Sequence, residues 1–135
     1  MLKSLTSIVL FVLSVSFVNA AEFQLSTHVL DTTLGKPGTG VDVNLEKRAP
    51  DGTWIEVGKG ITDQSGRIGN FLKIEKDVSH VGVYRFTFSL EKYFATRGLE
   101  TVYPEAVIVF KISDATHYHI PLIVTPYALS TYRGN

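Results

Sequence analysis

Val41-Asp42-Val43-Asn44-Leu45-Glu46-Lys47 alternates apolar and polar side chains without a break. Successive side chains of a strand point to opposite faces, so this stretch predicts a half-buried strand. The turn Ala49-Pro50-Asp51-Gly52 follows, and Thr53 to Val57 completes a predicted hairpin. Val83 to Leu90 repeats the pattern, with Tyr84, Phe86, Phe88 and Leu90 on one face and Arg85, Thr87 and Ser89 on the other. Ala106 to Ile112 is apolar on both faces except at Lys111. It predicts a strand covered by its own core on one side and by a neighbouring subunit on the other. Gln24 to Leu30, Arg67 to Leu72, Thr116 to Val124 and Tyr127 to Tyr132 complete the strand set. Between them, Glu91 to Arg97 can form a short helix ended by Gly98. About eight short strands separated by turn signals predict an all-β, two-sheet antiparallel sandwich with one short helix.

The first twenty residues stand outside this pattern. Met1-Leu2-Lys3 is a short basic start, Ile8 to Val18 is mostly apolar, and Val18-Asn19-Ala20 fits a small-residue cleavage site. The stretch predicts a secretory signal peptide, residues 1–20, leaving one domain at residues 21–135. The apolar run is short for a membrane span, and no basic stop follows it. Of the 13 lysines and arginines only Lys3 lies in the signal, so 12 remain against 13 acidic residues. Near-neutral charge offers no basic face for nucleic acid. The chain has no cysteine, so an exported protein of this kind relies on its core without disulfides. Export to a periplasm is the expected location, with secretion as the other destination.

Leu34-Gly35-Lys36-Pro37-Gly38-Thr39-Gly40 is the richest Gly/Pro run and reads as a loop between the first two strands. It lacks the strand-loop-helix setting and the Gly-Lys-Ser/Thr sequence of a phosphate-binding loop.

The histidines carry the candidate chemistry. In Thr116 to Val124, period two places Tyr118, Ile120, Leu122 and Val124 on the core face and His117, His119, Pro121 and Ile123 on the other. His28 shares a face with Ser26 and Leu30, opposite Leu25, Thr27 and Val29. His80 falls in a turn, and Arg67 follows the turn Thr62-Asp63-Gln64-Ser65-Gly66 at the start of a strand. A neutral imidazole can take a proton from water near neutral pH. A guanidinium can hold a carbonyl-rich or anionic substrate and steady a developing oxyanion. Such a set points to hydrolysis without a covalent intermediate; the bland alternative is exposed strand histidines and a surface arginine. A metal reading stays open too, because His117-x-His119 projects two imidazoles to one side and His28 could be a third ligand. Ser65 and Ser130 lack a nucleophile motif. Asp31, Asp42 and Glu46 read as solvated or turn carboxylates. Tyr127 to Tyr132 keeps a strand pattern until three residues before Asn135, which predicts a structured terminal stretch.

Several pieces run in a recognisable order: Leu25-Ser26-Thr27-His28-Val29-Leu30-Asp31, Gly35-Lys36-Pro37, Thr62-Asp63-Gln64-Ser65-Gly66-Arg67 and Tyr93-Phe94. They are followed by Tyr103-Pro104-Glu105, His117-Tyr118-His119-Ile120-Pro121-Leu122, Tyr127 and Ser130-Thr131-Tyr132-Arg133-Gly134. Over essentially all of residues 21–135 the chain resembles the 5-hydroxyisourate hydrolases, the transthyretin-related family of purine breakdown. The resemblance implies a transthyretin-like fold and a homotetramer, a dimer of dimers with active sites at the dimer–dimer interface. It implies a catalytic set of His28, Arg67 and His119, with His28, Arg67 and Tyr132 contacting substrate and His117 a neighbour. It also implies a reaction that needs no metal or organic cofactor. Two competing classes are a small-ligand binding module, as in transthyretin itself, and a zinc hydrolase built on His117 and His119. The family's usual ending is Tyr-Arg-Gly-Ser, and this chain has Asn135 in place of the serine.

Overall fold

The structure, a computed structural model, describes residues 22–135, so the predicted signal segment lies outside the described residues. Ten strands and one helix follow in order: β1 (Phe23–Asp31), β2 (Lys36–Pro37), β3 (Asp42–Arg48), β4 (Trp54–Ile61), β5 (Arg67–Lys73), β6 (Gly82–Ser89), α1 (Leu90–Ala95), β7 (Glu105–Ile112), β8 (Tyr118–His119), β9 (Leu122–Thr125) and β10 (Ala128–Thr131). They form the expected two-sheet sandwich. One sheet has the order β4-β3-β6-β7, all antiparallel; the other has six strands gathered around β1.

The β1 sheet is mixed, which revises the wholly antiparallel arrangement expected from the sequence. β1 pairs antiparallel with β2 and β5, but parallel with β8 and β9. This arrangement makes β1 the central strand and places its outward side chains between those of β5 and β8. The alternation read from the sequence holds there: Leu25, Thr27 and Val29 are fully buried, while Ser26 and His28 face outward. The buried hydroxyl of Thr27 donates to the carbonyl of Ile120 at 2.7 Å, which satisfies it in the core.

Three further sequence expectations are revised. The Gly/Pro run contributes a two-residue strand, β2, through the pairs Leu30↔Pro37 and Asp31↔Lys36. The predicted strand Thr116 to Val124 divides into β8 and β9, because Pro121 has no N–H to donate to the ladder. Asp31 is not solvated: it is 1% exposed and accepts a 2.8 Å hydrogen bond from the hydroxyl of Tyr93. Of the other two carboxylates, Glu46 pairs with Arg85 at 2.6 Å and Asp42 with Lys92 at 2.9 Å.

The inner faces meet in one core. Leu25, Val29, Phe71, Tyr118, Ile120, Leu122 and Val124 from the first sheet pack against Val43, Leu45, Tyr84, Phe86, Phe88 and Ile112 from the second. Phe86 sits at its centre, its ring 5.2 Å from that of Phe71 across the sandwich. Burying such an aromatic side chain contributes about 1.5–3 kcal/mol. α1 adds Leu90, Tyr93 and Phe94 to the core. The backbone N–H groups of Leu90 and Glu91, which open the helix, both donate to the carbonyl of Pro104 at 2.9 Å. On edge strand β7, Ala106 and Ile112 face the core, whereas Val107 and Val109 are 46% and 57% exposed in the single chain.

Candidate active site

Register decides which side chains meet on the outer face of the β1 sheet. His28 of β1 pairs with Arg67 of β5, and Ser26 of β1 pairs with His119 of β8. Side chains on one face of neighbouring strands lie side by side, so these pairings gather His28, Arg67, Ser26 and His119. The imidazoles of His28 and His119 stack with centroids 6.1 Å apart and an interplanar angle of 16°. Two histidines 91 positions apart in sequence are thus brought face to face by the parallel β1–β8 pairing.

Arg67 is placed by the turn before it. The Asp63 carboxylate accepts from the backbone N–H of Ser65 and of Arg67, each at 2.9 Å, and from the Ser65 hydroxyl at 2.6 Å. These bonds hold the Asp63 carboxyl below the usual carboxylate range. Gly66 has φ +75°, and a Cβ there would lie 2.6 Å from the carbonyl oxygen of Val29. Its own carbonyl accepts from the N–H of Val29 at 2.8 Å, so the turn is fastened to β1 where Arg67 begins.

The other wall comes from the last residues. Gly134 forms an antiparallel bridge with His119, its N–H donating to the His119 carbonyl at 2.8 Å. The Arg133 guanidinium lies over the ring of Tyr118, 4.3 Å from its centroid, and Arg133 also reaches the Thr116 hydroxyl at 3.3 Å. This pins the terminal stretch across β8. Beyond it opens a cleft of about 340 Å³ lined by Arg67, His119, Tyr132, Arg133, Gly134 and Asn135. The terminal stretch is therefore structured, as its strand pattern predicted.

Burial and charge tune the imidazoles in one direction. His119 is 8% exposed. Its pKa is lowered, first by burial and then by the nearby charge of Arg67. The pKa of His28 is lowered by burial and by Arg67. Both shifts favour the neutral imidazole, the form that can accept a proton.

His117 is exposed, as its face predicted, but it is tied down. Its Nδ1 donates to the carbonyl of Phe23 at 3.0 Å, and its Nε2 lies 2.9 Å from Oγ of Ser26. The same Oγ is 2.8 Å from Nδ1 of His119. Three ring nitrogens of the His-x-His pair are thus engaged by protein atoms. Among the described residues, no three His, Asp or Glu side chains converge as a metal site. Ser26 is the site residue that sequence reasoning missed. Its signal was its place on the His28 face of β1, which gains meaning only once the pairing with β8 is known. His80 stands apart from the site, with Nε2 2.8 Å from the carbonyl of Lys73.

The profile of the HIUase/Transthyretin family matches residues 25–134. The chain belongs to this family. Among the relatives in the family, the chain is 44% identical over 112 residues to the 5-hydroxyisourate hydrolase of Salmonella typhimurium, which covers 82% of this chain and 80% of that protein. It is 36% identical over 113 residues to the 5-hydroxyisourate hydrolase of Mus musculus, covering 82% of this chain and 94% of the relative. Sea bream transthyretin in complex with thyroxine superposes with a TM-score of 0.75 at 27% identity, over 82% of this chain and 94% of that one. The chain is thus similar both to named hydrolases and to a transthyretin solved with thyroxine, and the chemistry of the cleft has to separate the two.

Proposed function

We propose that this protein hydrolyses 5-hydroxyisourate to 2-oxo-4-hydroxy-4-carboxy-5-ureidoimidazoline. The observation that carries the proposal is the meeting of His28, Arg67 and His119 on one face, two stacked imidazoles beside a guanidinium. Relatives named for this activity, at 44% and 36% identity, support it.

His119 accepts a proton from water, and the resulting hydroxide attacks the acyl carbon of the six-membered ring. Arg67 holds the substrate and counters the charge that grows on the carbonyl oxygen. The carbon–nitrogen bond then breaks, and the departing nitrogen takes a proton from a histidine, so the step is balanced. His28 orients the water or shuttles that proton, and Tyr132, 54% exposed at the cleft, contacts the substrate. Each role belongs to a side chain, and no metal or organic cofactor enters the scheme.

The working protein in this proposal is an exported homotetramer with its sites between dimers. Exposed Val107, Val109 and Tyr127 supply apolar surface for such assembly. Asn135 lines the cleft at the position where the family resemblance implies serine, and it keeps a hydrogen-bond donor and acceptor, so activity is retained. Ultraviolet absorbance of freshly made 5-hydroxyisourate, with and without purified protein, tests the reading. Decay no faster than the spontaneous rate, combined with saturable binding of 5-hydroxyisourate, would favour a small-ligand binding module instead.

A further inference from the structure

The proton positions around His119 follow from a single carbonyl group. Nδ1 of His117 lies 3.0 Å from the carbonyl oxygen of Phe23, and a carbonyl can only accept. Nδ1 therefore carries a proton, and in neutral His117 the lone pair sits on Nε2. That nitrogen is 2.9 Å from Oγ of Ser26, so the serine hydroxyl donates its one proton there. With that proton committed to His117, Oγ must accept from its second partner, Nδ1 of His119 at 2.8 Å. Neutral His119 is left with its lone pair on Nε2.

We infer that Ser26 and His117 are positioning residues that hold His119 as the Nδ1–H tautomer, with Nε2 free to take the proton of the attacking water. The inference deepens the proposed hydrolysis and rests on that reading of the cleft. Neighbouring groups do not contest the assignment. Arg67 has only donors to offer, and His28 meets His119 by ring stacking at 6.1 Å. Gly134 bonds the His119 backbone carbonyl and leaves the ring nitrogens alone. The hydroxyl of Ser26 is also separable from the fold. The β1–β8 ladder at this point uses its backbone, with the N–H of Ile120 donating to the Ser26 carbonyl at 3.1 Å. Removing the hydroxyl therefore leaves the strand pairing in place.

Nitrogen NMR of the full-length protein with ¹⁵N-labelled histidine reads the tautomer directly, at a pH where His119 is neutral. The expected spectrum shows His119 protonated on Nδ1, and Ser26→Ala converts it to a mixture of tautomers. In the same variant kcat falls by about tenfold with KM within about twofold, the size expected for loss of a group that orients a catalytic base. Ser26→Thr, which restores a hydroxyl, brings back both the single tautomer and most of the lost turnover. An Nε2–H tautomer in the unaltered protein, or an unchanged spectrum in Ser26→Ala, overturns the inference. A shifted tautomer with unchanged kcat also overturns it, because the positioning would then have no catalytic consequence. The spectrum is recorded without substrate. Failure to hydrolyse 5-hydroxyisourate therefore counts against the proposed function, while the tautomer still decides for or against the hydrogen-bonded chain.

Discussion

The backbone of Gly134 lies against the ring of His119, so closely that a Cβ at position 134 would fall 2.6 Å from Cδ2 of the imidazole. No ordinary contact is that short, so any side chain at 134 must displace the histidine or the terminal stretch. Gly134→Ala is expected to lower kcat by about tenfold or more, since small misplacement of a catalytic group is costly. Strain of this kind costs about 1–3 kcal/mol in a packed setting. Parallel measurement of kcat and of urea unfolding checks this, and the loss of activity is expected to exceed any loss of folded protein at assay conditions.

Arg67 contributes a charge that lowers the pKa of both His28 and His119. A general base is inactive when protonated, so activity falls as pH drops through its pKa. The lowered values place that acid limb below the ordinary histidine range. Arg67→Gln removes the charge and is expected to move the limb to higher pH, in addition to lowering kcat by roughly a hundredfold through loss of oxyanion stabilisation. A pH–rate profile of the two proteins separates the effects. A limb that stays in place would mean that the guanidinium does not act on the base.

Tyr93 and Asp31 make a buried bridge from α1 to β1, remote from the candidate chemistry. Burial, then the hydrogen bond and charge of Asp31, push the Tyr93 hydroxyl up to about 12. A raised folded pKa gives stability that is complete below the unfolded value of 10.0 and is lost as pH climbs towards about 12. Tyr93→Phe leaves the Asp31 carboxylate with one fewer partner and is expected to cost about 1–3 kcal/mol of stability. Urea unfolding at neutral and alkaline pH checks both parts. The variant is expected to show a shallower alkaline decline and to keep its turnover number at neutral pH.

Local pattern was enough for the strands whose two faces differ. Val41 to Lys47 and Val83 to Leu90 alternate so regularly that burial follows from period two, and β3 and β6 lie where those stretches predict, with Leu90 handed to the helix. The outward direction of His117 and His119 was legible for the same reason, whereas both faces of the His28 strand are mixed in sequence and left its direction open. What local pattern could not supply was register. The parallel β1–β8 pairing joins the His-x-His pair to the His28 strand, and its Ser26–His119 pair links residues 93 positions apart. Asp31 was misread on similar grounds: its burial depends on Tyr93, which is 62 residues away. The break at Pro121 was visible in the sequence as a missing N–H, yet the alternation on either side of it continued and concealed it.

Catalysis of 5-hydroxyisourate hydrolysis by His119 is tested most directly by comparing the purified protein with His119→Asn in one absorbance assay on fresh substrate. The unaltered protein is expected to accelerate decay well beyond the spontaneous rate. The variant is expected to lose about 10²–10⁴-fold in kcat, the contribution of a positioned general base. An unaltered protein that fails to speed the decay, or a variant with an unchanged turnover number, would contradict that assignment.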